Sequence, residues 1–476
     1  MKRFAAVITA ILLLLAAVTV SADFEDAESA KQSVERGISA SNVYVCDSVD
    51  VENAYFVRNE HTRVAPASTT KIMTCVLALE SCDLDEPVTV PDEGATLGGD
   101  NSEMGLAEGE TLRMEDLLYG LMLRSANDAA NTIAIHIGGS IEGFTALMNE
   151  KAQALGLSDT RFTNPRGVNR EGHYSSAYDM AVLTRYAMQN EVFRTVVRTK
   201  EYNVPSNDVR RQELTFTNRN RLISDRESSS CYYRYAVGVK TGTSTAGCCL
   251  VSAATREDVT VICVQLGMTG MDTDAHRHEE LCRDAKAMFE YIFNYEYSYV
   301  RAKELIGSFR FEVGLEGSFE PLKVYAQLEG LCCYRPNDEI ELLRQGDAEF
   351  ETACELYVTA APIEAGSKVG AVTFSYGGRA WYTAELYAQV ELPLSPTPSP
   401  TVTPAPTPNL TAEPTAEPSD TPTYSPFCSP APMVGRKDGN ALIWVFFAGL
   451  AVALGLIAAA IILFASGTKR GGRRGK

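Results

Sequence analysis

The stretch Pro66-Ala67-Ser68-Thr69-Thr70-Lys71-Ile72-Met73-Thr74 decides how the chain is read. Proline suits the first turn of a helix, where its missing N–H is not needed. The segment therefore predicts a helix opening near Pro66 and running into Ile72, Met73, Val76, Leu77 and Leu79. Ser68 and Lys71 then share one face. A serine hydroxyl is a weak nucleophile until a base takes its proton, and a lysine serves as that base only when burial and a second cation lower its pKa. Ser-x-x-Lys alone is a common pattern; Ser466-Gly467-Thr468-Lys469 repeats it without such a context.

Two further motifs follow in order. Arg124-Ser125-Ala126-Asn127-Asp128 ends the helical run Leu117 to Leu123, where a hydroxyl and an amide two residues apart can face a cleft, relay a proton and hold a substrate amide, or merely cap a helix. Val239-Lys240-Thr241-Gly242-Thr243-Ser244 reads as an edge strand or a hairpin turn. As an edge strand it offers a cation, hydroxyls and, at Gly242, close backbone approach for an extended substrate.

These motifs, in this order, resemble the penicillin-binding protein and serine β-lactamase superfamily. Together with Phe162-Thr163-Asn164-Pro165 and Gly172-His173-Tyr174-Ser175-Ser176-Ala177 they look like the low-molecular-weight D-alanyl-D-alanine carboxypeptidases. The resemblance implies an α+β domain of helices on an antiparallel sheet, with Ser68 as nucleophile and Lys71 as its base. It further implies that Ser125 and Asn127 relay a proton and position the peptide, that Lys240 helps keep Lys71 neutral, and that Thr241 meets the substrate carboxylate. Gly242 and Thr243 would complete the binding edge, and the backbone N–H groups of Ser68 and Thr243 would form the oxyanion hole. A free terminal carboxylate needs positive charge, for which Arg277 is the first choice and Arg219 the second. The implied partners are the D-Ala-D-Ala end of a peptidoglycan stem pentapeptide and, as covalent inhibitors, β-lactams; no cofactor and no metal are implied. His173, although within a motif, reads as support for a loop.

Outward from these motifs, residues 23–297 mix strands (Val43 to Val45, Ala54 to Val57, Asp258 to Leu266) with buried helices (Ile72 to Glu80, Met114 to Leu123) and form the expected catalytic domain. Residues 301–392 alternate in short stretches, Lys323 to Gln327, Glu339 to Leu343, Ala371 to Tyr376 and Ala380 to Val390, with a two-residue hairpin at Tyr376-Gly377-Gly378-Arg379, and predict a small all-β module. Residues 394–432 are Pro/Thr-rich and suit an extended spacer. At the ends, Lys2-Arg3, an apolar run and Val20-Ser21-Ala22 read as a signal peptide over 1–22. The uncharged run 442–464 reads as one transmembrane helix, and the basic tail 465–476 places the C-terminus in the cytoplasm. The expected localisation is a single-pass cell-membrane protein with its catalytic domain outside the cell.

The chain has 476 residues and a net charge of −18, so nucleic acid is a poor partner. No Glu-x-x-Leu-Asn follows the second motif, as a β-lactamase would require for fast deacylation, and no Gly-x-Ser-x-Gly elbow supports a Ser-His-Asp hydrolase. An inactive wall-binding module would have lost a motif residue, and none is lost. His276, His278, Glu279, Glu280 and Cys282 fit no zinc spacing and read as a solvated helix start. The 12 cysteines show no C-x-x-C pattern, which leaves buried thiols and disulfides both open.

Overall fold

The apolar runs Gly247–Arg256 and Val259–Met268 form the middle of a five-stranded antiparallel sheet. The structure, a computed structural model, describes residues 27–95, 102–270, 273–316, 318 and 320–393. With β1 as Asn42–Asp47, β2 as Ala54–Arg58, β3 as Ala236–Ser244, β4 as Gly247–Arg256 and β5 as Val259–Met268, the sheet order is β2-β1-β5-β4-β3. The run Val259–Met268 is long and apolar because both its faces are covered. Ile262, Val264 and Leu266 join the core that contains Met180, Ala181 and Leu183 of helix Ala177–Met188. The intervening Val261 and Cys263 are also buried, and a second helix, Asp274–Tyr291, packs on β4 and β5.

Four helices bear on the site and are labelled in chain order: α1 is Lys71–Ser81, α2 is Met114–Tyr119, α3 is Asn127–Gly138 and α4 is Asp274–Tyr291. Every residue from Lys71 to Ala78 is buried, so α1 is apolar all round and lies inside the domain. The expected hairpin, central helix and inner strand are all present, and β3 is an edge strand, as the cleft-facing reading of Lys-Thr-Gly requires.

The chain divides into two units, one ending at Ser298 and the other beginning at Tyr299. The second unit has its own five-stranded antiparallel sheet. With β6 as Arg310–Val313, β7 as Leu322–Ala326, β8 as Glu351–Leu356, β9 as Lys368–Tyr376 and β10 as Arg379–Ala388, its order is β6-β7-β10-β9-β8. Tyr376 pairs with Arg379 across Gly377 and Gly378, whose φ values of 60° and 72° are those a two-residue turn of this hand needs. One expectation is corrected: Glu339 to Leu343 is no strand but part of a helix, Asn337–Gln345, so the unit is not all β. In a strand Ile340 and Leu342 would share a face. Here Ile340 and Leu343, three apart, are buried, while Leu342 is 41% exposed. Asp338 and Glu339 favour the first turn, and Gly346, in the left-handed region, ends the helix.

Among the described residues no helix is long and apolar enough to cross a membrane. The expected signal peptide, spacer, membrane span and basic tail lie outside the described residues.

Candidate active site

Ser68 lies in a 3-10 turn, Ala67–Thr70, that leads directly into α1, and Lys71 is the first residue of that helix. The tight turn brings Lys71 Nζ to 3.0 Å from Ser68 Oγ. Ala67, just before the serine, has φ +51°, a conformation that residues with a Cβ adopt only when their surroundings impose it. The surroundings are two glycines. A Cβ on Gly242 of β3 would meet the Pro66 carbonyl oxygen and Ala67 Cβ, each at 3.1 Å, and a Cβ on Gly167 would meet the Ala67 carbonyl oxygen at 1.9 Å. Gly242 therefore serves close packing of the edge strand against the serine turn, whereas the sequence suggested room for substrate.

Lys71 is fully buried. Its amine contacts Asn127 Oδ1 at 2.7 Å and the Arg166 carbonyl at 2.6 Å, both of which can only accept. The third neighbour, Ser68 Oγ, accepts from an ammonium or donates to a free amine. One position thus serves both protonation states, which is what a base that shuttles a proton needs.

The Arg166 carbonyl is aimed by a loop that the sequence did not reveal as part of the site. Asn164 Oδ1 accepts from the N–H groups of Arg166, Gly167 and Val168, and its amide donates to the Val168 carbonyl. Thr74 of α1 donates to the Pro165 carbonyl. His173 accepts at Nδ1 from the Thr163 N–H, so its Nε2–H donates to Thr70 Oγ1. Burial lowers its pKa to about 4, which keeps it neutral in this bridge. The expected supporting role of His173 is what the geometry gives it. The turn signature Asn164-Pro165-Arg166-Gly167 was the available signal for the loop.

Ser125 and Asn127 follow α2 and a π-helical turn, Gly120–Arg124. Ser125 has φ +64°, a second strained position beside the cleft, and Asn127 opens α3. Behind them the Asp128 carboxylate accepts from the N–H groups of Met104, Gly105, Leu106 and Ala129, and the Asn127 N–H donates to the Ser102 carbonyl. The residues around Ser102 are thereby fastened to the start of α3.

Lys240 is buried on β3, and its Nζ donates to the Thr241 carbonyl at 3.0 Å. Burial, then repulsion from Lys71 and Arg219, holds its pKa well below the usual lysine value. The repulsion is mutual, so each lysine disfavours a proton on the other.

These elements enclose a cleft of about 430 Å³ lined by Ser68, Ser102, Ser125, Arg219, Arg221, Thr241, Thr243, Ala275 and His278. Arg219 reaches it because Asn218 and Asn220 are anchored on either side: Asn218 donates to the Val197 and Thr199 carbonyls, and Asn220 to the Gly238 carbonyl on β3. Arg219 itself donates to Ser102 Oγ at 2.9 Å. Arg277, the first choice for carboxylate recognition, is not among the lining residues; it is paired with Asp274 in the first turn of α4. The wall there is built by Ala275 and His278 instead. Contrary to the reading of this segment as a solvated helix start, His278 hydrogen-bonds Thr243 Oγ1 at 2.8 Å. Burial and the Lys240 charge lower its pKa to about 4.

A serine touching a buried lysine, beside an amide-bearing helix start and an edge strand with a second buried lysine, has the parts that activation of a serine nucleophile needs. A sequence profile described as D-alanyl-D-alanine carboxypeptidase matches residues 30–270, and the chain belongs to that family. Among relatives, the D-alanyl-D-alanine carboxypeptidase DacF of Bacillus subtilis (strain 168) is 37% identical over 224 residues, covering 46% of this chain and 55% of the relative. The D-alanyl-D-alanine carboxypeptidase of Streptomyces sp. (strain K15) is 35% identical over 231 residues, covering 45% of this chain and 77% of the relative. The crystal structure of the Streptomyces K15 DD-transpeptidase is similar with a TM-score of 0.47 at 32% identity, covering 53% of this chain and 97% of that one. The match thus spans little more than half the length of the first of these relatives.

Proposed function

We propose that the protein is a serine-type D-alanyl-D-alanine carboxypeptidase that removes the terminal D-Ala from peptidoglycan stem pentapeptides. The observation that carries this reading is the Lys71 amine held between Ser68 Oγ and two acceptors in a buried pocket. Ser68 Oγ attacks the carbonyl carbon of the penultimate D-Ala while its proton passes to Lys71 Nζ. The oxyanion is held by the N–H groups of Ser68 and Thr243. Collapse breaks the C–N bond, and a proton relayed through Ser125 goes to the departing D-Ala amine. Water then attacks the acyl-enzyme while Lys71 takes its proton, and as the acyl C–Oγ bond breaks that proton passes to Ser68 Oγ. Thr241, Thr243 and Arg219 meet the substrate carboxylate, and the open edge of β3 takes the peptide as an added strand. A β-lactam acylates the same serine.

The topology belongs to this proposal too. Signal peptide, spacer, membrane span and basic tail, all read from sequence, would hold the catalytic unit outside the cytoplasmic membrane, within reach of wall peptide. The test is a defined muropeptide pentapeptide given to the full chain with and without an amine acceptor, with products read by mass. Loss of one D-Ala in both arms is expected. Dominant cross-linked product with acceptor would overturn the carboxypeptidase assignment in favour of transpeptidation, and no turnover in either arm would overturn both.

A further inference from the structure

Helices α1 and α3 carry Lys71 and Asn127 at their N-terminal ends, where the two side chains are joined. At their other ends a second cluster forms. Cys82 is the residue that caps α1, and His136 lies in the last turn of α3. Glu86, in the connection that follows α1, joins them: its carboxylate contacts His136 Nε2 at 2.7 Å. One ligand atom from each of the three residues lies within 4.8 Å of the other two.

We propose that Cys82, Glu86 and His136 form a site for a divalent cation of the zinc type. The donor chemistry points there first. A thiolate, an imidazole and a carboxylate together suit a borderline-soft ion such as Zn²⁺ and poorly suit Mg²⁺ or Ca²⁺, which take oxygen. The geometry agrees. Bond lengths of about 2.0 to 2.3 Å around tetrahedral Zn²⁺ set donor separations of roughly 3.3 to 3.7 Å. The three ligand atoms already lie within 4.8 Å of one another, and the Glu86–His136 pair, in contact at 2.7 Å, needs to open by about half an ångström to admit the ion. The electrostatics agree as well: two helices end here, and the unsatisfied carbonyls of helix C-termini favour positive charge. None of the three side chains is sealed from solvent, which gives the ion an entry path and leaves its fourth position to water.

A His–Glu ion pair accounts for two of these residues but not for a thiol sulfur within 4.8 Å of both. On binding, Cys82 loses its proton to solvent, His136 coordinates through Nε2 and carries its proton on Nδ1, and Glu86 binds as the anion. The donors are separated by 4 and 50 positions in the chain, so no motif spacing announces them. An 11-residue helix is roughly 16 Å long, which puts the ion well away from Ser68. Its effect would be to clamp α1 to α3 at the end opposite the Lys71–Asn127 contact.

Co²⁺, whose tetrahedral thiolate complexes absorb in the near ultraviolet and the visible, is the probe. Titrated into the full chain, it should give one equivalent of a thiolate-to-cobalt band that Zn²⁺ displaces, and Zn²⁺ should raise the melting temperature. Cys82→Ser should remove the band although the other cysteines remain, and Glu86→Gln and His136→Gln, both at partly exposed positions, should each weaken Co²⁺ binding by at least about tenfold. Zn²⁺ should also protect Cys82 of the unmutated chain from alkylation, a readout that needs no variant to fold. Absence of a band with the unmutated chain, a band that survives Cys82→Ser, or unchanged affinity in Glu86→Gln and His136→Gln would overturn the site.

Discussion

The two units of the chain use burial for opposite purposes. The second encloses an apolar core, from Val324 and Leu386 to Phe374 and Trp381, and among its described residues the one buried charged side chain is Arg335, which donates to the Tyr334 and Ala380 carbonyls. The first buries Lys71, Lys240, Asp116, Asp128 and Asp179, with Asn127, Ser125 and His173 around the cleft. Desolvating an ammonium is costly, and an apolar side chain of similar volume at the same place would stabilise the domain more. Two lysines held close enough to repel one another are therefore retained for chemistry. The second unit has no comparable cluster among its described residues.

If that contrast is right, the largest effect belongs to the nucleophile. Ser68→Ala should lower peptide hydrolysis by about four or more orders of magnitude while leaving the melting temperature within a few degrees of the parent. Residual turnover near the parent rate would mean that the buried lysines serve another residue.

Lys240→Ala should cost less, about 10²- to 10³-fold in acylation rate, and should carry a pH signature. The Lys240–Lys71 repulsion favours an unprotonated amine; with it gone, Lys71 holds its proton more tightly and the acidic limb of the acylation profile moves to higher pH. A rate loss with an unshifted limb would reduce Lys240 to a positioning role.

Gly242→Ala tests packing in place of charge. The added methyl meets the Pro66 carbonyl and Ala67, so about 1 to 3 kcal/mol of stability and roughly tenfold in acylation should be lost together, as the serine turn is pushed from β3. Unfolding titrations alongside penicillin labelling would show whether the two losses coincide.

The buried histidines sharpen the contrast through pH. His173 has a folded pKa of about 4, below its ordinary value of 6.5. Its stability contribution is complete above about pH 6.5 and is lost as pH falls toward 4, because the unfolded chain takes up the proton first; the amount is about 3 kcal/mol. His173→Gln should flatten that part of the stability curve. The smallest effect is expected in the second unit: Gly378→Ala, at φ +72°, should cost about 1 kcal/mol of stability and leave acylation unchanged.

How far the sequence could be read follows the same division. Side chains in motifs were legible: Ser68, Lys71, Ser125, Asn127 and Lys240 were named from motif order, and in the structure Lys71 contacts Ser68 and Asn127, Ser68 and Ser125 line the cleft, and the charge of Lys71 acts on Lys240. Backbone groups were not. The Arg166 carbonyl has no residue identity to announce it, and only the turn Asn164-Pro165 hinted at a loop there. Nor does the sequence tell which of Arg277 and Arg219 lines the cleft: Arg277 pairs with Asp274, three residues earlier, a pairing visible only once α4 is known to start there. Glu339 to Leu343 was misread because five residues can alternate by chance in a helix whose period shows only over a longer span.

The central claim is that the buried lysine activates Ser68, and the most direct measurement is the site of covalent capture. The full chain is incubated with a fluorescent penicillin, digested, and its labelled peptide sequenced by mass spectrometry. A single adduct on Ser68, lost in Ser68→Ala and slowed in Lys71→Ala, is the predicted result; an adduct on any other residue, or labelling that persists in Ser68→Ala, would contradict it.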